Sequence, residues 1–369
     1  MELGAEALID ARTFAVQDTR IALNGRDALP VVSRDELLSG YAADCMVQVA
    51  APEDVPGQLS IWPAYIAHLL HGMVAPDPFS VFDYQGRGLE ESISLNVADG
   101  SERLASIRAS NEGKPVVELA GWYICLANWS HSVYFHWFAQ CLSSVELIEQ
   151  FALPAPFRLL VPRLNSWQRD SLFELGFAPA QILEVDEGSV YACEHLLYPS
   201  DLQNQPSAIS SRMVSICRRL RARVTGRQIG PWPKVYLSRL DAPHRVLTDE
   251  GALIDQLRSR GYQTLIPSIM SFRDEIAAFA GARIIVGTVG SGMTNLAFAD
   301  PGAQVVLINC RGTRYRLYEW LAQRCGLKAK SLFIDRPQTA RDGLSPWNLG
   351  AELSRVLAEV ETAERQIGM

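Results

Sequence analysis

Short β-rich runs alternate with helical runs of about ten residues along the last third of the chain. The strand-like runs are Val235–Ser238, Gln263–Ile266, Arg283–Gly287, Gln304–Asn309 and Ser331–Ile334. The helical patterns between them are Thr248–Arg260, Ser271–Ala280, Met293–Ala299 and Tyr315–Cys325, with Thr248 and Ser271 as the expected N-caps. Because neighbouring parallel strands need a crossover connection, this order predicts a doubly wound α/β domain over residues 234–335.

The first half of the chain shows the same alternation less regularly. Its expected strands are Val116–Leu119, Tyr123–Leu126, Arg158–Val161 and Ile182–Val185, and its expected helices are Tyr134–Phe151, Trp167–Leu175 and Ala208–Val224. These elements predict another α/β domain over 115–224, followed by a linker at 225–233 that contains Gly and Pro. We interpret 1–114 as an N-terminal embellishment of this domain, and 336–369 as a tail with a C-terminal amphipathic helix.

The composition excludes several classes of protein. Of the 369 residues 48% are hydrophobic, so a large core is available, and the net charge is 34 − 41 = −7, which disfavours a general nucleic-acid binder. No stretch reaches the roughly 18 uncharged apolar residues of a membrane-spanning helix, and Met1–Arg20 lacks the pattern of a signal peptide. The seven cysteines form no Cys-x-x-Cys pair, which is typical of a reducing compartment. We therefore expect a soluble, cytoplasmic protein.

A glycine-rich turn follows the third strand of the C-terminal domain. Within Gly287–Asn295 the spacing is G-x-x-G-x-G, which is neither the dinucleotide fingerprint nor a P-loop. Glycines let a backbone approach a ligand, and the N–H groups at the start of a helix favour an anion such as a phosphate. The candidate ligand-binding residues are Gly290, Ser291, Gly292, Thr294 and Asn295. The alternative is a tight strand-to-helix turn without a ligand.

Two arginines, Arg239 and Arg245, come just after the first strand of the same domain. A guanidinium is a planar, permanently charged fork that suits a diphosphate. The alternative is a surface ion-pair network with Asp241, Asp249 or Glu250. No Asp-x-Asp occurs in the chain, so the usual divalent-metal clamp for a nucleotide diphosphate is absent and no metal is expected.

His136 stands among aromatic residues at the start of a predicted helix. With an ordinary pKa of about 6.5 it is the best candidate general base in the chain, and Asp241 and Glu275 are its substitutes. The alternative is a core histidine with a structural role. His68 and His71 lie three residues apart in an apolar run interpreted as helix, but no third ligand is evident and a metal site is not expected.

The stretch Arg218–Arg227 is basic within an acidic protein. A solvated helix face is one interpretation. The other is contact with an anionic acceptor or with a membrane surface, which would make the protein peripheral at the inner face of the membrane.

The order of these pieces resembles glycosyltransferase family 61, which includes bacterial capsular-polysaccharide proteins and eukaryotic xylan and O-linked sugar transferases. The resemblance covers residues 115–335. It rests on Tyr134–Trp137, Phe157–Val161, Val235–Arg239 with Arg245, Ser271–Ile276, Ala282–Gly287 and Gly290–Phe298. Three positions depart from the family's pattern. Val289 stands where the family often has histidine, Val133 where asparagine is common, and Asp249 where the family has asparagine.

The resemblance implies a GT-B architecture, with two Rossmann-like domains facing each other across a cleft, and inverting transfer from a nucleotide sugar. Arg239, Arg245 and the 290–295 turn would then hold the donor diphosphate, and His136 would face them as the base. We expect a metal-independent enzyme of capsular polysaccharide or exopolysaccharide biosynthesis, with a UDP-linked donor, a glycan or glycolipid acceptor and no cofactor. Two alternatives stay open: a GT-B-type sugar-nucleotide epimerase or hydrolase, and a non-catalytic sugar- or partner-binding module.

Overall fold

The computed structural model describes ten stretches of the chain. These are residues 45–49, 64–93, 100–150, 153, 156–200, 209–225, 232–242, 245–311, 316–335 and 347–368. The chain divides into two compact units, Met1–Ile216 and Cys217–Met369.

The first unit contains an eight-stranded mixed sheet. Its strands are β1 (Cys45–Val49), β2 (Tyr65–Leu70), β3 (Met73–Pro76), β4 (Phe79–Phe82), β5 (Val116–Cys125), β6 (Phe157–Pro162), β7 (Ile182–Val185) and β8 (Val190–Pro199). The order is β1-β2-β8-β5-β6-β7, and the β3–β4 hairpin joins through β3 and β8. Strands β8, β5, β6 and β7 are mutually parallel, whereas β2 and β3 run antiparallel to β8.

The helices of this unit are α1 (Glu90–Ile93), α2 (Gly100–Asn111), α3 (Tyr134–His136), α4 (Ser143–Gln150), α5 (Ser166–Leu175) and the start of α6 (Ser211–Thr225). A π-helical segment, Trp137–Leu142, joins α3 to α4. The helix predicted over Tyr134–Phe151 is therefore confirmed as far as Gln150, with π-helical instead of α-helical geometry in its middle. Trp137 is fully buried there, and its Nε1 donates to Ser171 Oγ at 3.0 Å. A separate apolar cluster lies between α2 and the β3–β4 hairpin and includes Phe82 and Ile107.

One expectation for this unit was wrong, and one strand was not predicted. His68 lies on strand β2 and His71 in the turn after it, not on a helix. Most of Tyr65–Leu70 is buried and the strand pairs with β1 and β8, so its apolar run has no period that distinguishes strand from helix. Strand β8 was not predicted at all, although it lies inside the sheet between β2 and β5.

The second unit contains a five-stranded sheet in which every pairing is parallel. Its strands are β9 (Lys234–Leu237), β10 (Gln263–Leu265), β11 (Ile284–Thr288), β12 (Gln304–Cys310) and β13 (Lys328–Ile334), in the order β10-β9-β11-β12-β13. Its helices are α7 (Glu250–Ser259), α8 (Phe272–Ala280), α9 (Leu317–Arg324) and α10 (Leu353–Gln366), with 3₁₀ turns at Pro267–Ile269, Ser291–Phe298 and Gly350–Glu352. The parallel α/β sheet predicted for 234–335 is confirmed.

The two expected N-caps of this unit have different outcomes. Ser271 caps α8, since its hydroxyl accepts from the Asp274 backbone N–H at 3.1 Å. Thr248 does not cap α7, whose N-cap residue is Asp249 in the left-handed region. The Thr248 hydroxyl instead accepts from the Leu349 N–H at 3.1 Å and donates to the Trp347 carbonyl, which ties this loop to the segment before α10.

Helix α10 packs against β11 and β12 of its own unit. Val356 and Val360 are fully buried, and Lys234 Nζ lies 2.9 Å from Glu364 Oε1. The domain limits proposed from the sequence stay predictions, because residues 226–231 of the linker and 336–346 of the tail lie outside the described residues. Within the described stretches, no helix is long and apolar enough to cross a membrane.

Candidate functional site

In the second unit, the strand order reverses between β9 and β11. The chain passes from β9 to β10 on one side and then returns to place β11 on the other. In open parallel sheets such a reversal leaves a crevice at the carboxyl ends of the two strands, where ligands bind. The segments that enter this crevice are the ones after β9, beginning at Ser238, and after β11, ending in the glycine turn.

The glycine turn and Arg239 are packed tightly against each other. A Cβ atom at Gly290 would lie 2.0 Å from Arg239 Nη1, so the guanidinium occupies the space that a side chain would need. A Cβ at Gly287 would meet Met293 Sδ at 2.9 Å, and one at Gly292 would meet Leu237 Cδ2 at 3.0 Å. The three glycines therefore allow close contact between the ends of β9 and β11.

Arg245 reaches the same turn from the loop after β9. Its Nη1 donates to the carbonyl of Val289 at 3.1 Å. Burial, and then the neighbouring charge of Arg245, lower the pKa of Arg239. Two guanidinium groups thus share one partly buried crevice, a setting in which an anion is favoured because it relieves their repulsion.

Glu250 fixes the strand end from which Arg239 projects. Its buried Oε1 accepts from Tyr236 OH at 2.9 Å, from Ser238 Oγ at 2.8 Å and from the Arg239 backbone N–H at 2.8 Å. The sequence interpretation treated Glu250 as an ion-pair partner on the surface. In the structure it is a buried acceptor that orders the backbone at this edge of the sheet.

The two substitute bases have partners in the same unit. Asp241 is exposed, and its Oδ2 accepts from the Ser268 N–H at 2.9 Å. Glu275 is buried, and its Oε2 accepts from Asn295 Nδ2 at 2.8 Å. Burial raises the pKa of Glu275 to about 7, the hydrogen bond from Asn295 opposes this, and the charge of Asp241 adds to it.

Within the turn, Ser291 and Gly292 are partly exposed, whereas Thr294 and Asn295 are completely buried. Ser291 begins the 3₁₀ segment, and the first N–H groups of a helix have no acceptor inside it. Asn295 connects the turn to helix α8, because its Nδ2 donates to the carboxylate of Glu275. Direct contact of Thr294 and Asn295 with a ligand stays a prediction.

In the first unit, His136 is the last residue of α3, directly before the π-helical segment. The residue is half-buried, and its Nδ1 lies 3.0 Å from Gln140 Oε1. Burial lowers the pKa of His136, and the hydrogen bond with Gln140 opposes that change. The ring of Trp129 lies 6.4 Å away, centroid to centroid.

Gln140 belongs to a buried polar cluster that sequence reasoning missed. Its Oε1 accepts from Asn128 Nδ2 at 2.9 Å and lies 2.8 Å from Ser130 Oγ. A signal for Gln140 was present, because residues four apart on a helix face each other. None of the sequence patterns singled out Asn128 or Ser130, which lie in the loop after β5.

A small pocket adjoins this cluster at the carboxyl ends of β5 and β8. It is lined by residues that include Asn128, Gln140, Ser144, Tyr198 and Ser200. The strand order reverses here too, since β6 and β7 lie on one side of β5 and β8 lies on the other. The first unit therefore also has polar groups at its switch point.

Part of the basic stretch on α6 takes part in an ion pair within the protein. Arg221 forms an ion pair with Asp300 at 2.7 Å, whereas Arg218 and Arg223 are exposed, and Arg227 lies outside the described residues. Among the described residues, no group of three His, Cys, Asp or Glu side chains could hold a metal ion.

A family model described as Glycosyltransferase 61 matches residues 134–306. The match begins at the helix that carries His136 and ends within β12, so it includes Arg239, Arg245, Glu275 and the glycine turn. No curated protein matches the chain.

Proposed function

We propose that the protein is a family 61 glycosyltransferase that transfers a sugar from a UDP-linked donor to a glycan or glycolipid acceptor, a proposal supported by the match of residues 134–306 to the Glycosyltransferase 61 model. The proposed transfer inverts the anomeric configuration and needs no metal. In this proposal the two units are the halves of a GT-B enzyme of capsular polysaccharide or exopolysaccharide biosynthesis. The observation that carries it is the pair of arginines, Arg239 and Arg245, at the β9/β11 switch point beside the glycine turn.

The donor diphosphate would lie in this crevice. Arg239 and Arg245 would contact its oxygens, and the backbone N–H groups of Ser291 and Gly292 would donate to them. The same contacts would stabilise the charge that develops on the leaving nucleoside diphosphate, which is the work a metal does in other transferases. Val289 contributes through its backbone carbonyl, since its side chain is buried.

His136 would act as the general base. As the acceptor oxygen forms its bond to the anomeric carbon, the bond to the diphosphate breaks and the acceptor proton passes to Nε2 of His136. Burial lowers the pKa of His136, which keeps the imidazole neutral and able to take that proton at neutral pH. Asp241 and Glu275 are less suited, because Asp241 accepts from the Ser268 N–H and Glu275 supports Asn295.

A cytoplasmic location is part of the same proposal. Arg218 and Arg223, which are exposed on α6, are the side chains that would meet an anionic membrane surface or an anionic acceptor.

The test is a thermal-shift screen of nucleotides and nucleotide sugars, each with and without EDTA. A ligand at about 100 times its Kd adds about 2.7 kcal/mol to the free energy of unfolding, which is readily measured. We expect UDP species to stabilise the wild type with and without EDTA and to stabilise Arg239→Ala much less. No stabilisation by any nucleotide would contradict the transferase proposal, and conversion of the donor without an acceptor would favour an epimerase or hydrolase.

A further inference from the structure

We infer that Gln140, oriented by Asn128, is a positioning residue that holds His136 in the tautomer protonated at Nδ1 and leaves Nε2 as the proton acceptor. The role of Nε2 in the reaction rests on the proposed function. The tautomer itself follows from hydrogen bonds within the first unit.

The chain of constraints starts at a backbone amide. The N–H of Ser130 donates to Asn128 Oδ1 at 3.0 Å. A backbone N–H can only donate, so the atom of Asn128 that faces it has to be the oxygen. The orientation of this side-chain amide, often ambiguous in proteins, is therefore fixed by the main chain.

The orientation of Asn128 fixes that of Gln140. With Oδ1 at Ser130, the Asn128 Nδ2 points to Gln140, whose Oε1 lies 2.9 Å away. An amide NH₂ group only donates, so the Gln140 atom at this position has to be the oxygen. The Ser130 hydroxyl can give its one proton to either amide oxygen and is compatible with this arrangement.

Gln140 in turn fixes His136. The same Oε1 lies 3.0 Å from His136 Nδ1, and a carbonyl oxygen only accepts. Nδ1 therefore carries the proton, and a neutral imidazole then has its lone pair on Nε2. Within the part of the chain that the structure describes, Nε2 has no hydrogen-bond partner, and the residue as a whole is half-buried.

Burial makes this arrangement rigid. Asn128, Ser130 and Gln140 are all buried, with 6%, 4% and 3% of their surface exposed. Turning either amide around would set two N–H donors against each other in a site with little access to water, which is unfavourable.

The first measurement needs no variant that could fail to fold. The ¹⁵N shifts of the imidazoles are recorded for the full-length wild type above the pKa of His136, and His136→Gln assigns the signal. We expect Nδ1 to carry the proton. A proton on Nε2 would overturn the inference whatever the enzyme's activity.

The second measurement uses Gln140→Glu and Gln140→Met. A carboxylate at position 140 still accepts from Nδ1 and places a negative charge beside the imidazole, so the pKa of His136 should rise by about one unit or more. Methionine removes the acceptor and should allow the Nε2-protonated tautomer. Gln181→Glu, which adds the same charge outside this cluster, is the matched control and should leave His136 unchanged.

Activity measurements then distinguish the tautomer assignment from the role of His136 as the general base. If His136 is the base, the acid limb of the kcat/KM profile moves to higher pH in Gln140→Glu together with the pKa read by NMR. A purely structural role for Gln140 would change the amplitude of the profile but not its position. If the NMR pKa moves and the acid limb does not, His136 is not the base and the proposed mechanism is wrong, although the tautomer assignment stands.

Discussion

A methyl group at position 290 tests whether donor binding depends on Arg239 lying against the glycine turn. The backbone at Gly290 is extended, with φ of 173°, so alanine is compatible with its conformation. The new Cβ would lie 2.0 Å from Arg239 Nη1. A normal non-bonded contact is about 3.5 Å, so the guanidinium has to move by roughly 1.5 Å. Because it ends a flexible side chain, we expect Gly290→Ala to fold and to melt near the wild-type temperature.

The expected loss can be worked out from that displacement. Misplacing a binding group by about 1 Å can cost about 100-fold, and one charge-assisted hydrogen bond contributes about 1.5–3 kcal/mol, or roughly 10–150-fold. Titration calorimetry should therefore show a Kd for UDP that is 10- to 100-fold weaker in Gly290→Ala, with a similar fall in kcat/KM. Arg239→Ala should lose at least as much, about 2–4 kcal/mol in kcat/KM, because it removes the donor entirely.

Gly251→Ala is the matched control. It makes the same substitution in helix α7 of the same unit, where a Cβ would meet no atom within 4 Å. We expect unchanged UDP binding and no loss of stability. If Gly290→Ala binds UDP as the wild type does while Arg239→Ala does not, the packing of the guanidinium against the turn is irrelevant to the donor. If neither variant differs from the wild type, the donor binds elsewhere.

Two further predictions concern stability. The pKa of the Glu275 carboxyl is about 7 in the folded state and about 4.5 in the unfolded state. Between these pH values the folded state holds a proton that the unfolded state has lost, so the free energy of unfolding falls as pH rises, by up to roughly 3 kcal/mol. Glu275→Gln should flatten this part of the curve of melting temperature against pH, and an unchanged curve would contradict the assignment. Val360→Ala removes two buried methyl groups from α10 and should cost about 1–3 kcal/mol by urea unfolding, whereas Ser354→Ala on the exposed side should cost almost nothing.

The five strands of the second unit could be predicted to within a few residues, because each contains apolar or β-branched residues and lies next to a stretch with helical spacing. A fully buried parallel strand such as β12 has this form with no alternation to interpret. In the first unit the same rule failed for β2, where an apolar run with histidines three apart imitates a helix. It also failed for β8, in which Glu194 and His195 interrupt the apolar pattern and are partly exposed.

The residues of the candidate site were predictable by type but not by partner. Arginines, glycines and a histidine are recognisable in a sequence because their chemistry is distinctive. Which of them meet depends on strand order, and only the order β10-β9-β11 brings Arg239 to Gly290. The sequence predicts where each strand ends but does not state which strand ends are neighbours.

The groups that orient the charged residues were harder to find, for a physical reason. Glu250 accepts from the Arg239 backbone N–H as well as from two hydroxyl groups, and the orientation of the Gln140 amide begins at the Ser130 backbone N–H. Backbone donors leave no trace in the residue type, so the spacing that pairs Gln140 with His136 does not reveal how the Gln140 amide is oriented. Substitution of Arg239 or His136 would therefore test only whether each residue is needed. Substitution of Gly290 keeps Arg239 but displaces its guanidinium, and substitution of Gln140 keeps His136 but changes which nitrogen carries the proton. These variants therefore test the geometry on which the mechanism depends.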